Sequence, residues 1–378
     1  MTDTSTRPIL RDLVPLSDPG GDSAGLRSEI AAALMRVVDS GSYILGPEVE
    51  AFEKRLAASV GVAEAVGVGS GTDALVIAML GLGIGPGDEV ITVSHTAGAT
   101  VAAIRIVGAV PVLVDVEEQN YCIDPDKIEG AIGPRTHAVV AVHLYGHPAH
   151  MAAVGAVARQ HGLAVIEDCA QAQASTIDGR QVGSFGEIGC FSFYPTKNLG
   201  AIGDGGALVT DDPAIADRVR KLRTYGWSKP QYAEFDNGRA SRLDEIQAAI
   251  LSVKLRQLAD HVERRRNVAR RYRAELAGLP LVLPSESAGT THAYHLFVIR
   301  AEGRDALEAH LQANGIGTGR HYPWPAHRQP AFAAVARIPE PLTVTEKIAG
   351  EILSLPLFAT ISEAQIGRVV DAVRKFYR

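Results

Sequence analysis

Cysteine is scarce in this chain: Cys122, Cys169 and Cys190 are an odd number, without the paired spacing of a disulfide framework or a zinc site. They read as small buried apolar residues, and no metal is expected. Positive charge is not in excess either. Lys and Arg number 37 against 43 Asp and Glu, a formal net charge of −6, which leaves no broad footprint for nucleic acid or an anionic membrane. Long apolar runs are missing: the longest, 74–85, is too short and too Gly-rich to span a bilayer. Residues 1–11 are polar apart from Ile9 and Leu10, so they do not read as a secretory signal, and the expected compartment is the cytoplasm. There is no repeat and no low-complexity tract. With 46% hydrophobic and 21% charged residues over 378 positions, a compact protein of two or three domains remains.

Between about 60 and 212, short β-branched runs (90–93, 111–114, 138–142, 164–166, 190–194, 207–210) alternate with helix-length stretches. Runs apolar on both faces and spaced this way predict an α/β fold with a mostly parallel central sheet. Its chemistry belongs at the C-terminal ends of the strands. Helix starts are marked by Ser70 before 74–80, Pro148 before 152–160 and Pro213 before 214–222. A longer helical pattern runs from Leu243 through Leu258 to Leu276. After Gly278 the texture changes: a strand over 294–300, a helix over 304–314, a Pro-rich segment over 321–330 and final helices read as a smaller α+β domain. The expected division is an N-terminal arm (1–25) lying on the body or on a partner subunit, a large domain (26–260) and a small domain (261–378).

Three local features carry chemistry. The strand 164–166 runs directly into Glu167 and Asp168. By itself such a pair can cap the next helix. Lys197 lies between the aromatic run Phe191-Ser192-Phe193-Tyr194 and the glycines Gly200, Gly203, Gly205 and Gly206. A lysine there either snorkels to water or serves as an amine that forms a Schiff base with a carbonyl. Gly67, Gly69 and Gly71 lead into a helix whose first amides, with the Thr72 hydroxyl, suit a phosphate. A dinucleotide fingerprint fits less well, because the third glycine is one residue early and Asp88-Glu89 precede a strand instead of ending one. A phosphate cup, an acid at a strand end and a downstream lysine are together the parts that hold pyridoxal phosphate. Asp168 would keep the pyridine nitrogen protonated, and Lys197 would serve as proton carrier.

With these motifs the chain resembles the sugar aminotransferases of the DegT/DnrJ/EryC1/StrS type, over nearly its whole length. The matching segments include Tyr43-Ile44-Leu45-Gly46-Pro47, Gly71-Thr72-Asp73-Ala74-Leu75, His143-Leu144-Tyr145-Gly146, Glu167-Asp168-Cys169-Ala170-Gln171, the Lys197 segment, Ser241-Arg242-Leu243-Asp244 and His321-Tyr322-Pro323 with His327. The resemblance implies a fold-type-I α/β architecture with pyridoxal 5′-phosphate as cofactor. Lys197 would form the internal aldimine, Asp168 contact the pyridinium and Gln171 the ring hydroxyl, with Gly71, Thr72 and Ser192 on the phosphate. It also implies a homodimer with the active site at the subunit interface.

Three positions depart from the family pattern: Ala240 where an asparagine commonly reaches the partner's phosphate, Ala97 where an aromatic often stacks on the ring, and Gln173 where many relatives have histidine. Asn237 or Arg239 are candidates to replace the first, and His95 is a candidate to cover the ring, or else is structural. On the substrate side, Tyr43, Arg242, His321, Tyr322 and His327 are the expected pocket residues, although the segment 321–325 also reads as a rigid packed loop. Arg220, Arg223, Lys229, Arg239 and Arg242 form a basic neighbourhood suited to a nucleotide diphosphate. Arg264–Arg266 and Arg270–Arg271 read as a solvated helix face.

The expected activity is ping-pong transfer of an amino group from glutamate to a keto group, C3 favoured, of a nucleotide-linked deoxysugar. Neither nucleic acid nor membrane is an expected partner. Transamination of a cyclitol or an unlinked keto sugar, and a non-catalytic pyridoxal-phosphate-binding regulator, are the alternatives. A dinucleotide oxidoreductase comes last.

Overall fold

The computed structural model describes residues 13–378. Its centre is a seven-stranded sheet made of β1 (Glu64–Val68), β2 (Glu89–Val93), β3 (Val110–Val114), β4 (Thr136–Val142), β5 (Ala164–Asp168), β6 (Ile188–Ser192) and β7 (Gly206–Thr210), in the order β1-β7-β6-β5-β4-β2-β3. The run from β6 through β5, β4 and β2 to β3 is parallel; β7 is antiparallel to both neighbours. The strands are apolar on both faces because helices cover both, as the alternating pattern requires. On one side Val66, Ile166 and Leu208 pack with α3 (Gly71–Gly81), α4 (Gly98–Ile106) and α6 (Pro213–Leu222), and on the other Val139 and Val165 pack with α5 (Met151–His161).

Of the expected arm, residues 1–12 lie outside the described residues. The remainder packs on its own chain: Val14 N donates to Gly315 O at 2.9 Å, Gly317 N donates to Val14 O at 2.8 Å, and Thr360 N donates to Asp22 Oδ1 at 3.1 Å. Near its start, α1 (Arg27–Ser40) and α2 (Pro47–Val60) pack on α7 (Glu245–Leu255). Glu245 caps α2 from a distance in sequence, accepting from the amides of Gly46, Glu48 and Val49 at 2.9, 3.0 and 2.8 Å. A carboxylate there answers both the orphan donors and the positive helix end.

The long helical pattern from 243 to 276 is two helices, α7 and α8 (Leu258–Glu275), interrupted where Gln257 takes φ −106° and ψ 2°. No glycine or proline marks this break. The turn lets Leu251 on one helix and Leu258 and Val262 on the other share one core. The expected strand over 294–300 is only β8 (Phe297–Arg300), because Tyr294 is left-handed at φ 45° and its amide is taken by His292 Nδ1 at 2.8 Å. β8 pairs antiparallel with β9 (Ile352–Leu355), and α8, α9 (Arg304–Ala313) and α11 (Glu363–Phe376) supply a core around Phe297 and Leu311; α10 (Thr343–Glu351) precedes β9. Arg265 is not on a solvated face: it is buried, with Nη2 3.3 Å from Asp22 and Nη1 donating to Leu357 O at 3.1 Å.

Candidate active site

The C-terminal ends of β4, β5 and β6 and the start of α3 open onto one cavity of about 240 Å3. Strand register places its floor: Val142 on β4 lies beside Asp168 on β5, and Asp168 beside Cys190 on β6, two residues before Ser192. Gly71, Thr72, Asp168, Gln171, Ser192 and Lys197 all line this cavity. Six expected positions, distant in sequence, are therefore brought together by the sheet: parallel pairing joins β4, β5 and β6, and the antiparallel β7 brings β1 and the helix start after it alongside.

The α3 end is built for an anion. Ser70 accepts from Asp73 N at 3.1 Å as N-cap, which leaves the first amides of the helix, Gly71 and Thr72, without intrahelical acceptors. Gly71 must be glycine here, since a Cβ would sit 2.5 Å from Ser192 Cβ. Ser241 braces the approach, accepting from Gly69 N at 3.0 Å and donating to Asp73 Oδ2 at 2.9 Å. Gln173 Nε2 donates to Ser192 O at 2.6 Å and its Oε1 has no partner among the described residues.

The two carboxylates at the end of β5 have separate duties. Asp168 reaches the cavity, with Oδ2 accepting from Thr100 Oγ1 at 2.8 Å and Oδ1 from Ala170 N at 3.1 Å. Burial raises its pKa, opposed by those two hydrogen bonds and by Lys197. Glu167, one residue earlier, faces away. It accepts from the amides of Gly183, Phe185 and Gly186 at 2.8, 2.7 and 2.8 Å and from His143 Nε2 at 3.0 Å.

Lys197 sits in a tight turn after β6, its amide donating to Tyr194 O at 2.9 Å. Burial brings its ammonium down to about 8, while Asp168 pulls the other way. A far larger share of neutral amine is thus present near physiological pH than for an ordinary lysine, which is what a nucleophile or base needs. Labelling the ligand-free chain with acetic anhydride across a pH series should give a midpoint near 8 for Lys197. A midpoint in the ordinary lysine range would mean that the amine is still open to water.

His95 does not cover the cavity. It is fully buried away from it, with Nε2 2.7 Å from Tyr145 Oη, and Ala97 and Thr96 line the wall instead. His327 is likewise held elsewhere, its Nδ1 on Ser94 Oγ at 2.7 Å and its Nε2 on Glu346 at 3.1 Å. Tyr322 is one hydrogen bond from the cavity, accepting from Gln171 Nε2 at 2.8 Å, and His321 Nδ1 is 2.8 Å from Ser354 Oγ. Tyr43 is half exposed on the outer surface, and Arg242 lies 5.8 Å over the Tyr225 ring; neither lines the cavity of its own chain. The basic neighbourhood also thins out: Arg223 is buried on Glu53 at 2.5 Å, Arg220 pairs with Glu64 at 2.6 Å and Arg239 with Asp73 at 3.4 Å.

Sequence reasoning missed Tyr194 and Asp204, both of which line the cavity. Tyr194 lies three residues before Lys197 and Asp204 two before Gly206, so proximity to the lysine motif was a usable signal.

The chain matches the DegT/DnrJ/EryC1/StrS aminotransferase family over residues 25–374. It is 48% identical over 364 residues to dTDP-3-amino-3,4,6-trideoxy-alpha-D-glucose transaminase of Streptomyces venezuelae, covering 96% of each chain. It is 46% identical to UDP-N-acetyl-3-dehydro-alpha-D-glucosamine 3-aminotransferase of Acidithiobacillus ferrooxidans, covering 96% of this chain and 97% of that one. Among solved structures it is similar to S. venezuelae DesV in complex with a ketimine intermediate, at TM-score 0.94 and 47% identity, covering 97% of this chain and 99% of that chain. With a buried lysine and a strand-end carboxylate meeting at a helix start whose first amides are free of intrahelical acceptors, and this likeness over nearly its whole length, the chain belongs to the DegT/DnrJ/EryC1/StrS aminotransferase family.

Proposed function

We propose that this chain transfers an amino group from glutamate to the C3 keto group of a nucleotide-linked keto-deoxysugar, using pyridoxal 5′-phosphate. The observation that carries the reading is the cavity that holds Asp168, Lys197 and the start of α3 together. Its donors fit the cofactor: the free amides of Gly71 and Thr72 with the Ser192 hydroxyl suit a phosphate, Asp168 suits a protonated ring nitrogen, and Gln171 suits the ring hydroxyl. When bound, the cofactor supplies the electron sink. The protein's own part is to hold that ring, exclude water from it, and let Lys197 Nζ take and return the proton of the substrate carbon. The names of the two curated relatives support both the nucleotide link and the C3 position.

The site is proposed to be completed by a second copy of the chain. Met35 and Val38 on α1, Tyr43 and Ile44 beyond it, Ile246 on α7 and Ile202 are all exposed. They form one neighbourhood, since Ile44 bridges to Asp244 and the Gln247 side chain bonds both Ile202 N and O at 3.0 Å. Ile202 is two residues from Asp204 on the cavity wall. An exposed apolar patch near the rim of the cavity suits a two-fold dimer, which would let Tyr43 and Arg242 serve the partner's substrate. Among the described residues no helix is long and apolar enough to cross a membrane; residence in the cytoplasm is part of this proposal.

Glutamate-dependent amination of nucleotide-linked 3-keto sugars, nucleotide-linked 4-keto sugars and unlinked keto sugars, measured side by side, tests the reading. The 3-keto nucleotide sugar should be preferred by at least about tenfold in kcat/KM. Equal or better use of the 4-keto or unlinked compound overturns the assignment.

A further inference from the structure

Behind the cavity wall lies a buried polar chain that starts at His95 and reaches the cavity at Gln171. His95 Nε2 is 2.7 Å from Tyr145 Oη, and Tyr145 Oη in turn hydrogen-bonds His321 O. From the same residue, Tyr145 N donates to Gln171 Oε1 at 2.8 Å, and Gln171 Nε2 donates to Tyr322 Oη at 2.8 Å. Tyr145 therefore grips the segment 321–322 twice, once through its phenol and once through its amide.

The directions of these bonds follow from the groups. His321 O only accepts, so Tyr145 Oη–H is spent on it and the Tyr145 oxygen must accept from His95. That makes His95 Nε2 the protonated nitrogen and Nδ1 a lone pair, which agrees with Nδ1 having no partner among the described residues. Burial brings the ring's pKa down to about 4, against the pull of Asp115, so it stays neutral. On the other branch, the Tyr145 amide makes Gln171 Oε1 the acceptor and Nε2 the donor. Tyr322 Oη then accepts and keeps its own proton to give. Its hydroxyl, one hydrogen bond from a cavity-lining side chain, is left as a donor aimed by its neighbours.

Tyr145 carries a cost to hold this place. It is left-handed at φ 59°, a conformation unfavourable for a side chain of its size. Packing alone would be met by phenylalanine, since its ring lies edge-on to Tyr121 at 5.5 Å and to His95 at 6.1 Å. The hydroxyl is needed only for the bridge.

We infer that His95 and Tyr145 are positioning residues that hold the 321–322 segment and, through Gln171, orient the Tyr322 hydroxyl toward the keto sugar. The inference rests on the proposed function for the identity of the substrate, though not for the bridge itself.

Hydrogen–deuterium exchange and kinetics of the cofactor-loaded protein test it. In Tyr145→Phe, amides of 319–328 should exchange about tenfold faster, or more, with β4 and β5 unchanged. With a dTDP-linked 3-keto-6-deoxyhexose, KM should rise about tenfold while kcat falls less than about threefold. The Tyr145→Phe/Tyr322→Phe double variant should have a KM no higher than Tyr322→Phe alone; multiplied losses overturn the inference. His95→Gln, which keeps a donor, should exchange like the wild type, and His95→Leu like Tyr145→Phe; this pair decides the matter if Tyr145→Phe does not fold. Unchanged exchange at 319–328 overturns the inference whatever the substrate. Faster exchange in a protein whose wild type does not aminate the keto sugar supports the bridge and overturns the proposed function instead.

Discussion

Lys197→Ala is expected to lower kcat for amino transfer by at least about 10⁴-fold, the upper end of what a positioned acid–base group contributes. The residue stands at the meeting of two requirements. It is buried in the cavity wall, where its amine is easily neutral, and it shares that cavity with Asp168, which opposes full neutralisation. Folding should survive the change, because the truncated side chain leaves a space that opens into an existing cavity and orphans no hydrogen-bond partner among the described residues, while the turn's bond from the Lys197 amide to Tyr194 O is kept by alanine. Thermal melting of the variant should therefore stay close to that of the wild type while single-turnover reaction with glutamate is lost. Partial return of turnover on adding methylamine would mark the missing group as an amine. Retained turnover without any added amine would remove Lys197 from its assigned role, and a collapse in melting temperature would make it a structural residue.

How much of this could be read from the sequence depends on the distance between interacting residues. Six of the seven strands were legible because apolar β-branched runs of three to five residues need no partner to identify them, while β1 carries Gly67 and reads as part of the glycine-rich turn. Asp168, Lys197 and Gly71–Thr72 were legible as candidates because each sits in a local motif, and the sheet, parallel from β4 to β6 and antiparallel through β7 to β1, lines one cavity with all of them. What escaped was set by contacts across the chain. His95 meets Tyr145 50 residues away and Tyr145 meets His321 176 residues away, so the sequence leaves His95 open between a cover for the ring and a structural residue, whereas the structure puts it behind the cavity wall. Arg223 is committed to Glu53 across 170 residues, which removes it from a basic surface that composition alone would grant it. The break after α7 has no glycine or proline, only a shared core that asks two helices to face the same way.

Glu167→Ala should destabilise the fold by at least about 3 kcal/mol, even though Glu167 is adjacent to the cavity-facing acid. The carboxylate accepts three backbone amides, from Gly183, Phe185 and Gly186, together with His143 Nε2–H. His143 must donate there, because its Nδ1 already accepts from Ala149 N at 2.9 Å. Alanine would leave four donors without an acceptor, those of Gly183 and His143 buried and those of Phe185 and Gly186 part-buried, and an unmet buried donor costs about 1–3 kcal/mol; the two buried donors with a smaller share from the other two support the stated bound. Burial by itself would raise the pKa of Glu167, but the His143 bond and the amides of Gly183 and Gly186 outweigh it and the net direction is down. A depressed carboxylate stabilises the fold fully above its ordinary range and loses that contribution as pH falls through the folded value. Urea unfolding at neutral pH should therefore show the full difference between wild type and variant, and the difference should shrink as the solution is acidified below the ordinary glutamate range. A difference that stays constant on acidification would mean that packing of the side chain, rather than its charge, holds the segment 183–186 against β5.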